Sequence, residues 1–256
     1  MLNKVPEVTL FFWIIKILCT TVGETAADYL NDTLGFGLTN TTYVTGALLA
    51  VLLLAQFRLR KYVPAVYWSV VVVISVFGTL ITDNMTDAHN IPLTTTTPIF
   101  AAILAIIFAI WYGVERTLSM HSIVTTRREA FYWLAILFTF ALGTAAGDLS
   151  AEKLDLGYAV SIAIFGGIIA LVAFAHYVLH ANAILTFWLA YILTRPLGAS
   201  IGDEMSQTSH KYGGLGLGTT NTSYIFLGAI LALVIYLTVT RKDQTPPELI
   251  ARELGT

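Results

Sequence analysis

The sequence predicts an all-α integral membrane protein whose eight transmembrane helices form four pseudo-symmetric parallel hairpin repeats, and three observations predict it. Of the 256 residues, 56% are AVILMFWYC and 12% are DEKR, with a mean hydropathy of +0.75. Soluble domains carry about 25% charged residues, so this chain has half the charge needed to cover a water-facing surface. Eight apolar stretches are long enough to cross about 30 Å of hydrocarbon, which takes about 20 helical residues. The odd-numbered stretches then align without a gap under one pattern, W-x9-G-x4-D.

In chain order the expected spans are residues 8–30, 41–57, 63–86, 93–114, 130–150, 158–179, 183–205 and 222–240. The first is expected to be retained rather than cleaved as a signal peptide. It holds Lys16, Glu24 and Asp28, lacks a small-residue cleavage site and belongs to the repeat. The second, fourth and eighth open on hydroxyl-rich runs, Thr39 to Thr42, Thr94 to Thr97 and Thr219 to Ser223, which suit helix N-caps or extra oxygen ligands. The sixth ends in His176 and His180, one helical turn apart, which reads as two interfacial histidines or an exit-side metal site. The seventh contains Arg195 followed by Pro196, whose missing N–H favours a kink. The run GGLGLG at 213–218 lacks the strand, helix and lysine of a phosphate loop and reads as a flexible turn.

The longest segments outside the spans, Glu115 to Glu129 and Arg241 to Thr256, are too short to bury a core. The chain therefore reads as a single transmembrane domain over 1–256, with internal repeats at 1–62, 63–117, 126–182 and 183–245. A formal net charge of −2 argues against a nucleic-acid partner, and the single cysteine, Cys19, excludes a disulfide framework or a cysteine metal site. No HExxH, GxSxG or paired Ser and Lys arrangement marks an enzyme. If eight spans alternate, Lys4, Arg58, Arg60, Lys61, Arg116, Arg127, Arg128, Arg241, Lys242 and Arg252 share one side, against Lys153 and Lys211 on the other. The positive-inside rule then puts both termini in the cytoplasm.

The repeats read FFWIIKILCTTVGETAADYLND, VYWSVVVVISVFGTLITDNMTD, FYWLAILFTFALGTAAGDLSAE and TFWLAYILTRPLGASIGDEMSQ, spaced by 55, 65 and 55 residues. Because every unit enters from the same face, the repeats are parallel, and a ring of four hairpins around one axis follows. Trp13, Trp68, Trp133 and Trp188 are expected as interfacial anchors. Gly23, Gly78, Gly143 and Gly198 are expected to let neighbouring backbones approach. The aspartates Asp28, Asp83, Asp148 and Asp203 lie fifteen residues beyond the tryptophans, about 22 Å along a helix, and so form one layer. One turn later come Asp32, Asp87, Glu152 and Gln207 on the same helix face. Carboxylates at helix C-termini oppose the macrodipole, so a fourfold choice of Asp there points to a cation held among them. Oxygen-only donors suit Mg²⁺, Ca²⁺ or Mn²⁺. Deeper in the bundle, Glu24 and Arg195 occupy positions one turn apart on neighbouring repeats and can pair, with Lys16 nearer the termini. These three are the expected gate or proton relay.

The segments VPEVTLFFWIIKILCTTVGETAADYL, TDNMTD, TRREAFYWLAILFTFALGTAAGDL and ILTRPLGASIGDEMSQ bring the whole chain into resemblance with a family of uncharacterised bacterial multi-span membrane proteins. Its members are often labelled membrane-anchored proteins, some as amylopullulanase regulators. The resemblance implies a bacterial inner-membrane location and little mechanism, and no sensory module is evident in the residues. The expected function is transport of a cation, divalent and with Mn²⁺ favoured, through an acidic site of Asp28, Asp83, Asp148 and Asp203 extended by Asp32, Asp87 and Glu152. Clustered carboxylates readily share protons, which makes proton exchange the natural coupling. No resident cofactor is expected beyond a bound divalent cation, and the expected partners are the lipid bilayer and that ion. The alternative is a non-transporting assembly or regulatory protein in which the acidic residues only pair helices.

Overall fold

A computed structural model of the chain describes residues 3–208 and 212–244. Its eight long helices are α1 (Leu10–Asp28), α2 (Gly37–Arg58), α3 (Pro64–Asp83), α4 (Leu93–Glu115), α5 (Thr126–Asp148), α6 (Tyr158–Tyr177), α7 (Ala183–Ser206) and α8 (Thr219–Thr240). All eight are long and apolar enough to cross a membrane. Side-chain caps start several of them: Thr9 accepts from Phe12 N, Thr125 from Arg128 N, and Asn182 from Ile184 N and Leu185 N. α2, α5 and α8 begin three or four residues before the apolar stretches because polar Thr, Asn and Arg residues make their first turns. Pro196 is accommodated within α7, which runs as one helix to Ser206.

The odd helices make an inner ring in which α1 packs on α3, α3 on α5, α5 on α7 and α7 back on α1. Each even helix covers the inner helix of the next repeat, α2 on α3, α4 on α5, α6 on α7 and α8 on α1. In the most apolar part of each odd span 56–61% of residues are buried, against 17–28% in the even ones. The outer helices thus present only a stripe inward, such as Phe100, Leu104, Ile107 and Trp111 of α4, which recur at helical spacing.

The repeated glycines close the inner ring. A Cβ on Gly23 would collide with the Ser75 side chain, on Gly78 with Phe140, on Gly143 with Arg195, and on Gly198 with Thr20. Each partner stands three residues before the glycine of the adjoining repeat, so one close contact is used four times around the axis. Gly78→Val is expected to destabilise the fold by about 1–3 kcal/mol through overpacking. Gly228→Val, which meets open space, is expected to leave the melting temperature unchanged; thermal unfolding in detergent checks both.

The tryptophans are not the interfacial anchors that their position suggests. Trp68, Trp133 and Trp188 are buried and Trp13 is half-buried. Each packs on the aromatic residue preceding the tryptophan of the repeat before it. The pairs are Trp68 on Phe12, Trp133 on Tyr67, Trp188 on Tyr132 and Trp13 on Phe187, with ring centroids 5.4–6.2 Å apart. The approach enforced by the glycines brings neighbouring helices close enough for the indoles to serve the ring rather than the interface.

The same end of the bundle carries the first and last described residues, Asn3 and Gln244, and is capped by the segment before α1. Asn3 O accepts from Tyr62 N, Lys4 N donates to Ile123 O, and Glu7 N donates to Asp243 O. Lys4 Nζ reaches the fully buried Glu129 at 2.7 Å, and Gln56 donates to the other oxygen of that carboxylate. Val5 lies in the core beside this network.

Candidate functional site

At the opposite end of the ring, the C-termini of the four inner helices surround a cavity of about 190 Å³. Its wall includes Asp28, Asp83, Asp148 and Asp203 and, above them, Asp32, Asp87, Glu152 and Gln207, so both predicted layers meet in one space. Glu24, Asn31, Thr86 and Leu93 complete the lining. Exposure follows depth. Glu24 and Asp203 are 7% and 8% exposed, Asp28, Asp83 and Asp148 are half-buried, and Asp32, Asp87 and Glu152 are exposed at the rim.

Local structure carries the rim residues past the ends of the α-helices. After Asp28, Asp83 and Asp148 the chain continues into single π-helical turns, Tyr29–Thr33, Asn84–Ala88 and Leu149–Lys153. They are closed by Leu34 N on Tyr29 O, His89 N on Asn84 O and Leu154 N on Leu149 O. Such turns recur at functional sites in helices. The fourth repeat differs: α7 ends as an α-helix, and its last carbonyls are taken by the glycine-rich run. Leu215 N donates to Glu204 O, Leu217 N to Met205 O, Gly218 N to Ser206 O and Gly216 N to Gln207 O. Gly213, Gly214, Gly216 and Gly218 all have positive φ, which lets this strap lie flat on the helix end. GGLGLG is therefore a helix cap, not the flexible turn its composition suggests.

Arg195 lies fully buried behind the cavity wall, bonded to its Glu24. Its guanidinium donates to Glu24 Oε2 at 2.8 Å, to Thr144 Oγ1 at 2.7 Å, to Thr79 Oγ1 and to Thr20 O at 2.6 Å. Glu24, Thr79 and Thr144 hold the same register in repeats one to three, and the fourth position is Ala199 on the helix of Arg195 itself. The arginine thus fills the axis by bonding every repeat but its own, and the ion pair anticipated from the register is present.

Three carboxylates gather more tightly than the rest. One oxygen each from Glu24, Asp148 and Asp203 lies within 4.8 Å of the others, a spacing that one cation could bridge. The fourfold pattern puts the four aspartates on an equal footing, but Asp28 and Asp83 are outside this group. Glu24, expected from sequence as a gate or proton relay, joins it. The available signal was its column: Glu24, Asp28 and Asp32 follow one another at i, i+4 and i+8 on a single helix face. Asp28 is engaged instead by Gln207, whose Nε2 donates to Oδ2 at 3.2 Å. Among the described residues, the side chains of Asp83, Asp148 and Asp203 make no hydrogen bond or ion pair.

Lys16 lies below Arg195, fully buried, donating to Thr194 Oγ1 at 3.3 Å between the rings of Phe140 and Tyr191. Closer to the termini, the hydroxyls of Tyr67 and Tyr132 share a hydrogen bond of 2.5 Å. The hydroxyl-rich runs neither cap their helices with a side chain nor line the cavity. They tie repeats together: Thr42 Oγ1 accepts from Asn84, Thr97 donates to Ala145 O, and Ser223 donates to Thr25. His176 and His180 do not form a joint site. His176 is bonded to Thr186, while α6 stops at Tyr177 and His180 turns away with φ 54°.

A family described as a Repeat of Unknown Function (DUF347) matches the chain four times, at residues 11–62, 66–117, 131–182 and 186–243. Each match covers one hairpin. No curated protein and no solved structure matches the chain.

Proposed function

The chain belongs to the DUF347 family of repeats, and we propose that its four repeats together form a transporter for a hard divalent cation, with Mn²⁺ the first candidate. One observation carries this reading: Asp83, Asp148 and Asp203 reach a shared cavity among the described residues without a partner, two of them beside Glu24. A carboxylate in the membrane is costly unless something positive meets it. Helix pairing accounts for Glu24 with Arg195 and for Asp28 with Gln207, but it leaves those three aspartates unexplained. Oxygen-only donors select hard ions such as Mg²⁺, Ca²⁺ and Mn²⁺ over thiophilic ones.

The electrostatics favour the same guest. Four helix C-termini, each equivalent to roughly half a negative charge, converge where the wall supplies eight carboxylates, and Arg195, bonded to Glu24 from behind that wall, is the one cation paired with them by a salt bridge among the described residues. An ion entering from the acidic end would exchange rim oxygens at Asp32, Asp87 and Glu152 for the deeper set. There it competes with Arg195 for Glu24, so the ion pair acts as the inner gate. Passage onward requires the aromatic layers and the Lys4 cap to part. With the basic loops in the cytoplasm of a bacterial cell, the cavity opens to the outside of the inner membrane.

Liposomes containing the purified protein and a trapped Mn²⁺-quenched dye test this directly. Wild type is expected to quench the dye on external Mn²⁺, and Asp148→Asn with Asp203→Asn to abolish quenching. Wild-type vesicles no faster than empty ones, in either orientation and with or without a pH gradient, would refute transport.

A further inference from the structure

We infer that the proton exchanged against the cation is carried by Lys16, an assignment that rests on the cation-transport reading above. Two positive side chains share one aromatic ring, since Lys16 Nζ lies 4.4 Å and Arg195 Cζ 5.8 Å from the centre of Phe140. Arg195 has its counter-charge in Glu24 at 2.8 Å. Lys16 makes no ion pair among the described residues; its ammonium is bonded to the neutral Thr194 hydroxyl at 3.3 Å and faces Tyr191 at 4.2 Å.

This arrangement tolerates both charges only while Glu24 serves Arg195. A divalent ion that takes Glu24 removes that neutralisation and adds positive charge there, in a setting where like charges repel strongly. Arg195 cannot relieve the repulsion, because a guanidinium stays protonated. Lysine can. One N–H bond of the Lys16 ammonium breaks, the electron pair stays on Nζ, and the proton passes to water. The neutral amine keeps two N–H bonds and still donates to Thr194 Oγ1, whose own proton stays on Tyr191 O, so the contact survives the loss of charge. Binding one ion at Glu24 therefore expels one proton.

The charged and titratable groups facing Lys16 are few. Cys19 is on its own helix, and Tyr191 and Arg195 are on α7. α3 and α5 offer Val71, Ser75, Ile136 and Phe140 at the equivalent and adjoining layers, with Tyr67 and Tyr132 one layer nearer the termini. The titratable side chains of α8, Tyr224 and Tyr236, sit beside Tyr29 and Phe11 near the ends of α1.

Titrating Mn²⁺ into the purified protein by calorimetry, in two buffers of different ionisation heat, counts the protons released per ion bound. Lys16→Met is expected to release about one proton fewer than wild type. Lys16→Arg, which keeps the charge but cannot shed it, is expected to lose the same proton and to bind Mn²⁺ at least about tenfold more weakly. Having both variants keeps the test readable if one fails to fold. Either variant releasing as many protons per ion as wild type overturns the assignment while leaving cation binding intact. Wild type that binds no Mn²⁺ overturns the transport reading, and this inference with it.

Discussion

Asp148→Asn and Asp203→Asn are each expected to weaken Mn²⁺ binding by about 100-fold or more, because changes to outer-shell partners alone cost about 10–100-fold at metal sites. The asparagine oxygen still fits the space, so the loss is of charge and not of packing. Asp83→Asn and Asp28→Asn are expected to cost about tenfold or less, since neither belongs to the close group of Glu24, Asp148 and Asp203 and Asp28 is held by Gln207. Equilibrium dialysis with Mn²⁺ distinguishes the cases. Equal losses from all four substitutions would favour a symmetric site centred on the axis over the three-carboxylate group.

The second large effect is expected at Arg195. Breaking a buried pair by removing one partner costs about 3–5 kcal/mol, mostly because the other charge is left uncompensated. Arg195→Ala also strips donors from Thr20 O, Thr79 and Thr144. In chelator, the variant is expected to melt well below wild type. Mn²⁺ is expected to restore much of that stability, because an ion at Glu24 replaces the missing charge and ligand binding stabilises the folded state by mass action. Without its internal competitor, the site is expected to bind Mn²⁺ more tightly than in wild type. A variant that is destabilised equally with and without Mn²⁺ would show that Arg195 only locks α1 to its neighbours.

Much of this was legible in the residues. Apolar length alone placed the eight helices, and the spacing of Trp, Gly and Asp put four carboxylates in one layer. The offset between Glu24 and Arg195 was enough to pair them, because position in a repeat fixes both depth and face. What escaped were properties of side chains whose partners lie on other helices. Trp68, Trp133 and Trp188 match the composition of an interface, yet their neighbours are aromatic residues one repeat away, which hydropathy does not report. Thr42 and Ser223 look like caps from local sequence and instead bond across repeats. The glycine-rich strap was read from flexibility, whereas its positive φ angles serve a rigid contact with the end of α7. The uneven use of the aspartates was hidden by the repeat itself, since a fourfold pattern carries no sign of the asymmetry that Arg195 and Glu24 impose.

The most direct measurement is the position of Mn²⁺ in crystals grown with the ion, located by its anomalous scattering. A single dominant peak is expected among Glu24, Asp148 and Asp203, about 2.1–2.4 Å from their oxygens, between the distances typical of Mg²⁺ and Ca²⁺, with Arg195 drawn away from Glu24. A saturated crystal with no peak in the cavity, or with ions only at Asp32, Asp87 and Glu152 on the rim, would contradict it.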